Sequence, residues 1–278
     1  MWVIAHLPRV VREGLGRLVG LALYHFARRR THIVRVNLTM CFPYLSASER
    51  EALVKQCCLE HGYGVIDTAL SWFGPVSMCP RLDVHDLEVF DQALAKGRGV
   101  LMIGAHFTAI DICSRMFAET HPLSAMYRPL KNPVMHWGMD RAMRRFEQAI
   151  HRDDMRSLVR RLKSGGVVWY APDQDYGPKH SVFAPFFGVP AASVVATARI
   201  VKMTGCEVVV ASQWRRDHGR RLEMTFTQLD GDWPTGDDVR DCATVNAAIE
   251  KNIALEPAQY MWTHRRFKTR PEGESRPY

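Results

Sequence analysis

Val100-Leu101-Met102-Ile103-Gly104-Ala105 is an unbroken apolar run that ends on His106. A strand with one wet face alternates, whereas a continuous apolar run belongs to a strand covered on both faces. Two further runs share this texture, Gly166-Val167-Val168-Trp169-Tyr170-Ala171 and Cys206-Glu207-Val208-Val209-Val210-Ala211. Arg221 to Thr227 alternates instead, so it reads as an edge or half-buried strand. Helical patterns separate these strands at about 110–120, 133–147, 154–164, 191–204 and 238–255. Strands alternating with helices predict an α/β fold, a mostly parallel central sheet flanked by helices.

Upstream the chain is helical. Leu7 to Ala27 has apolar residues at near-helical spacing and runs into Arg28-Arg29-Arg30. It reads as an ordinary surface helix or as an amphipathic helix lying on a membrane. Ser46-Ala47-Ser48-Glu49 is a capping box that starts a helix running towards Gly62. No linker, repeat or low-complexity segment divides the chain. The reading is therefore one domain over 1–278, with 1–75 as a helical, membrane-facing portion.

The 278 residues are 47% hydrophobic and 24% charged, which excludes disorder and coiled coil. The net charge of +8 favours anionic partners such as phosphorylated substrates, acidic lipid, an acidic carrier protein or nucleic acid. Basic residues concentrate in two runs, with ten Lys or Arg against four acids from Arg128 to Lys163 and four with no acid in His264–Arg270. Each is either a solvated face or a clamp for phosphate or carboxylate. Seven scattered cysteines without a C-x-x-C give neither a disulfide framework nor a zinc site, and they fit a reducing compartment. The uncharged stretch Leu18–Ala27 is half of what a bilayer span needs, about 20 residues. No export signal follows it.

In a parallel sheet, ligands bind at the carboxyl ends of the strands. His106 falls there, and Asp111 falls in the first turn of the next helix, with Thr108 a candidate cap. An aspartate on one imidazole nitrogen would leave the other to take a proton from a hydroxyl. The plain alternative is a histidine ending a strand and an aspartate complementing a helix dipole. Ala171-Pro172-Asp173-Gln174-Asp175-Tyr176-Gly177-Pro178 ends the neighbouring strand as acids in a turn or as part of the same site. Phe183-Ala184-Pro185-Phe186-Phe187-Gly188 is a packed loop or the wall of an apolar groove, lined by Phe186 and Phe187. There is no G-x-S-x-G elbow, Walker loop or dinucleotide fingerprint, which argues against serine hydrolases, P-loop enzymes and dinucleotide enzymes.

The ensemble resembles the late acyltransferases of lipid A biosynthesis, within the glycerophosphate and lysophospholipid acyltransferase superfamily. The likeness is carried by His106-x4-Asp111, Tyr127-Arg128-Pro129, the Asp173–Lys179 string, Phe183–Gly188 and His264–Pro271, with weaker matches at Asn37-Leu38 and Cys41-Phe42-Pro43. It implies a glycerophosphate-acyltransferase-like fold and transfer of a fatty acyl group from acyl carrier protein to a hydroxyl of a Kdo-bearing lipid A precursor. His106 would be the general base, Asp111 would orient it, and no metal or other cofactor would be needed. Arg128 would bind phosphate or the developing oxyanion, with Arg141 and Arg145 in the adjacent basic stretch. Asp173 and Asp175 would be substrate-binding. The implied partners are acyl carrier protein, the lipid A precursor and the anionic inner membrane. The resemblance places the chain peripherally on the cytoplasmic face of that membrane, because the hydrophobic anchor helix common in the family is not seen here. Three rival readings are another glycolipid or aminolipid acceptor, a nucleic-acid-binding protein and a non-catalytic membrane scaffold. The second of these leaves the His106 and Asp173 strings unexplained.

Overall fold

The computed structural model describes residues 1–278, with the side chain of His218 outside the description. Four helices come first: α1 (Trp2–Ala5), α2 (Arg9–Phe26), α3 (Arg28–Cys41) and α4 (Ala47–Phe73). Strands and helices then alternate through β1 (Arg81–His85), α5 (Leu87–Ala95), β2 (Val100–Ile103), α6 (Ile110–Ala118), β3 (Ser124–Tyr127), α7 (Pro133–Met143), β4 (Gln148–His151), α8 (Met155–Lys163) and β5 (Val167–Tyr170). A hairpin of β6 (Ser181–Phe186) and β7 (Val189–Val194) follows, then α9 (Ala196–Thr204), β8 (Glu207–Arg216), β9 (Arg221–Thr227) and α10 (Asp238–Leu255).

The main sheet has seven strands in the order β1-β9-β8-β2-β5-β3-β4. Every neighbouring pair is parallel except β8 and β9, so the sheet is mostly parallel, as its apolar runs predict. All four residues of β2 are buried, which is why they are apolar without alternation. β9 alternates in burial but sits one strand in from the edge, because Arg81–His85 adds β1 outside it. The segment expected as a helix from 191 begins as β7, whose small residues pack in the hairpin, and only Ala196–Thr204 is helical.

The capping box forms at Ser46, whose hydroxyl accepts from the Glu49 amide while Glu49 accepts from the Ser46 amide. The helix it starts runs beyond Gly62 to Phe73. Gly62 is no stop signal, because a Cβ there would lie 2.2 Å from the Gly16 carbonyl oxygen and 2.8 Å from Gly20 Cα. The glycine lets α4 cross α2 backbone to backbone. The same helix reaches the sheet's functional edge at Gly64, where a Cβ would come within 2.7 Å of the Thr108 carbonyl.

Candidate active site

The strand register brings the two sequence candidates together. β2 and β5 are parallel neighbours with Ile103 opposite Tyr170. His106 and Asp173 each lie three residues past that pair, at the carboxyl edge. Asp173 Oδ1 lies 2.7 Å from His106 Nδ1, and Oδ2 accepts the His106 amide at 3.0 Å and the Tyr260 hydroxyl at 3.0 Å. The Asp173 side chain is 1% exposed and that of His106 24%, so the carboxylate is sealed while part of the imidazole is open. Among the described residues, no protein group bonds the other ring nitrogen, Nε2.

Each partner sets the other's ionisation. Burial opposes the charged carboxylate of Asp173, but the charge and hydrogen bonds of His106 and the Tyr260 hydroxyl outweigh it, and the pKa falls to about 2. Burial likewise opposes the imidazolium. The charge and hydrogen bond of Asp173 overcome this, with a further contribution from Asp111, and His106 sits above its ordinary value.

The loop carrying His106 is held by a distant segment. Met261 N–H donates to the His106 carbonyl, Thr108 N–H to the Gln259 carbonyl, and Phe107 bridges to Tyr260. Gln259 is fixed in turn by exchanging side-chain hydrogen bonds with the backbone of Arg215 on β8. Thr108 therefore does not cap α6; Ala109 occupies that position without a side-chain bond.

Asp111 does not orient the imidazole through a hydrogen bond, contrary to the sequence expectation. Its Oδ2 accepts from Thr68 Oγ1 at 2.6 Å, and its carbonyl accepts from Ser71 Oγ, so the first turn of α6 is tied to α4. The clamped turn from His106 to Ala109 sends the two side chains to different neighbours. Burial, with the charge of Asp67 adding to it, pushes the Asp111 carboxyl up against the Thr68 hydrogen bond and the charge of His106.

The remaining candidates separate. Asp175, expected at the substrate, is buried and accepts from the amides of Gly177 and Thr269 and from the Thr269 hydroxyl, stapling the strand-end loop to the C-terminal segment. Its own amide donates to His264 Nε2 at 3.0 Å. Burial, with the charges of His106 and Arg266 adding to it, pushes that imidazole down to about 4, so it stays a neutral acceptor. Two of the four cations in the C-terminal basic run are turned inward, while Lys268 is exposed. Arg266 donates to the Ala192 carbonyl and Ser193 Oγ beneath the hairpin, and Arg270 donates to the Pro190 carbonyl. Phe186 is fully buried against Tyr260 and belongs to the core, not to a groove wall, while Phe187 packs between Phe42 and Trp262.

Arg128 is exposed near the site. Its charge and that of Arg152 lower the Tyr176 hydroxyl, against burial and the charge of Asp173, which keep it raised overall. Arg141 is exposed, and Arg145 donates to the Ser71 carbonyl at the end of α4, where a cation complements the helix dipole. Neither makes a described contact with His106. Tyr260, Gln259 and Thr68 are the site residues the sequence reading missed. Tyr260 stands just ahead of the His264–Arg270 string, and only the bridge to Phe107 brings it to Asp173.

The family model for bacterial lipid A biosynthesis acyltransferases matches residues 1–269. The chain belongs to this family. It is 38% identical to the lipid A biosynthesis palmitoleoyltransferase of Escherichia coli K12 over 283 residues, covering 100% of this chain and 92% of that one. It is 36% identical to the lauroyltransferase of the same organism, covering 98% and 90% of the two chains. With the myristoyltransferase the identity is 31%, over 95% of this chain and 82% of the other. The protein is thus an acyltransferase of lipid A biosynthesis, and its histidine–aspartate pair lies at the carboxyl edge of the sheet. Among the described residues, no helix of this family member is long and apolar enough to cross a membrane.

Proposed function

We propose that this acyltransferase moves a fatty acyl group from an acyl-carrier-protein thioester to a hydroxyl of a Kdo-bearing lipid A precursor, with His106 as general base and Asp173 as its anchor. The observation that carries the proposal is the 2.7 Å contact of Asp173 with Nδ1, which fixes the ring and leaves Nε2 free at the open edge of the sheet. Nε2 takes the acceptor hydroxyl's proton as its oxygen attacks the thioester carbonyl. Asp173, already ionised, stabilises the imidazolium so formed, and the departing thiolate then receives that proton. The acylated lipid and free carrier thiol leave without any other cofactor. Arg128, exposed and without an ion pair among the described residues, would meet a phosphate of the acceptor or the oxyanion.

A peripheral position on the cytoplasmic face of the inner membrane is supported by exposed Val10, Leu18 and Phe26 along α2, flanked by exposed Arg17, Arg28 and Arg29. Apolar side chains ringed by arginine suit an anionic bilayer surface.

The test is acyl transfer by the purified protein, with a panel of acyl-carrier thioesters and the lipid A precursor. Product from the native chain, with rate losses of about 10²-fold or more in His106→Ala, supports the reading. An active native chain with an equally active His106→Ala variant overturns the base assignment. Inactivity on every thioester overturns the donor.

A further inference from the structure

Further along the same α2–α4 seam as the interhelical glycine contact, a cavity of about 260 Å³ opens between α2, α4, the 78–81 segment and the turn joining β8 to β9. Its walls hold five arginines and only two carboxylates, Glu13 and Asp67. Three of the arginines are satisfied. Arg9 pairs with Glu13 at 2.5 Å, Arg81 with Asp83 at 2.9 Å, and Arg215 is enclosed by Asp67 and Glu60.

Arg12 is different. It is 7% exposed, its Nη2 donates to the Met78 carbonyl at 3.2 Å, and its Nη1 is buried with no partner. Among the described residues it forms no ion pair, and Arg220 at the cavity's rim forms none either. A guanidinium keeps its proton under all ordinary conditions, so burial cannot neutralise it as it would a lysine. Asp67 and Glu13 act on Arg12 only through their charges, without a direct ion pair, whereas the nearby Arg215 is paired with two carboxylates; a buried guanidinium left without a paired counter-charge is unfavourable.

We propose that this cavity is an anion site for a phosphate group, held by Arg12 in its wall and Arg220 at its rim. With Nη2 on the Met78 carbonyl, Arg12 has an Nη1 donor left for a phosphate oxygen, and the excess of cations around the cavity favours a doubly charged oxyanion over a carboxylate. Arg215 Nη1 lies 3.5 Å from Thr108 Oγ1, and this ion group stands between the cavity and the loop of His106. The phosphate therefore sits apart from the reacting atoms, and binding there is independent of the acyl-transfer proposal.

The experiment is a titration of the full chain with inorganic phosphate, balanced by chloride at constant ionic strength, read by calorimetry and thermal unfolding. Saturable binding that raises the unfolding temperature is expected. Arg12→Gln should weaken it about tenfold or more, and Arg220→Gln, an exposed change that leaves the fold intact, should weaken it severalfold. Absence of stabilisation beyond chloride overturns the proposal, as does unchanged affinity in Arg220→Gln together with a folded Arg12→Gln. If Arg12→Gln does not fold, Arg220→Gln alone decides the question by the same criterion. Vesicles of phosphatidylcholine with and without phosphatidic acid separate the sources. Loss of phosphatidic-acid-dependent binding in the variants identifies a lipid headgroup; binding of phosphate alone, with vesicle binding unchanged, identifies a free phosphorylated ligand.

Discussion

Asp173 and Asp111 flank the same histidine and are governed by opposite physics. Asp173, at the end of β5, faces His106 and receives donors from its ring, its amide and Tyr260, so its pKa is held down to about 2 despite complete burial. Asp111, in the first turn of α6, has one hydroxyl donor from Thr68 and the repelling charge of Asp67, so burial prevails and its pKa rises. The charge of the facing imidazole together with donors aimed at the oxygens, not spacing along the chain, decides which carboxylate anchors the ring.

The strongest way to break the comparison is to neutralise each carboxylate in turn. Asp173→Asn should lower acyl transfer by about 10²–10⁴-fold, since the base loses both its orientation and the charge that stabilises its imidazolium. Asp111→Asn should cost less than about tenfold, because it adds only its charge from a distance. Steady-state rates of both variants provide the check, and equal losses would erase the distinction.

The second effect is a shift in titration. Asp173 raises the pKa of His106 against burial, so Asp173→Asn should move the His106 resonance, followed by NMR, to titrate below its position in the native protein. The sign for stability follows. Asp173 is depressed, so its contribution is complete above the unfolded carboxylate value, near 3.9, and fades as pH falls towards about 2. His106 is raised, so its contribution is complete below the unfolded value, near 6.5, and fades as pH rises through the folded one. Denaturant unfolding across pH should therefore show the pair's full stabilisation between those limits, and Asp173→Asn should flatten it.

Tyr260→Phe leaves a buried carboxylate one donor short and should destabilise the fold by about 1–3 kcal/mol. It should also raise the pKa of Asp173, so acid unfolding begins at a higher pH than in the native chain. The smallest effect belongs to Thr68→Val, about 1 kcal/mol of stability, with Asp111 pushed still higher because its single donor is gone. A larger loss of activity from Thr68→Val than from Tyr260→Phe would reverse the roles assigned to the two carboxylates.

Much of the central architecture was legible. The apolar runs at 100–105, 166–171 and 206–211 became β2, β5 and β8, and the capping box at Ser46 starts α4 where expected. Five strands were not legible, the four-residue β3 (Ser124–Tyr127) and four others for identifiable reasons. β1 and β4, Arg81–His85 and Gln148–His151, lie at the sheet's two edges and carry charged or polar residues that outer strands tolerate. β6 and β7 contain Pro185 and Pro190 and turn at Phe187-Gly188, both with positive φ, as a two-residue hairpin of type I′ geometry requires. A phenylalanine is an unusual residue there. Its aromatic contacts with Phe42 and Trp262 offset the strain, and those contacts come from distant parts of the chain.

The candidate site divides along the same line. Periodicity and burial are local, so the chain alone determined that His106 and the Asp173 loop both end buried strands and face the carboxyl edge. Local reasoning paired His106 with the aspartate five residues on. Strand register, the Phe107–Tyr260 bridge and the crossing of α4 over Thr108 join residues tens to hundreds of positions apart. Those long-range contacts gave the imidazole to Asp173, turned Asp111 towards Thr68 and left Arg12 buried beside a cavity without an ion pair of its own among the described residues, because hydrogen bonding follows proximity in space rather than spacing along the chain.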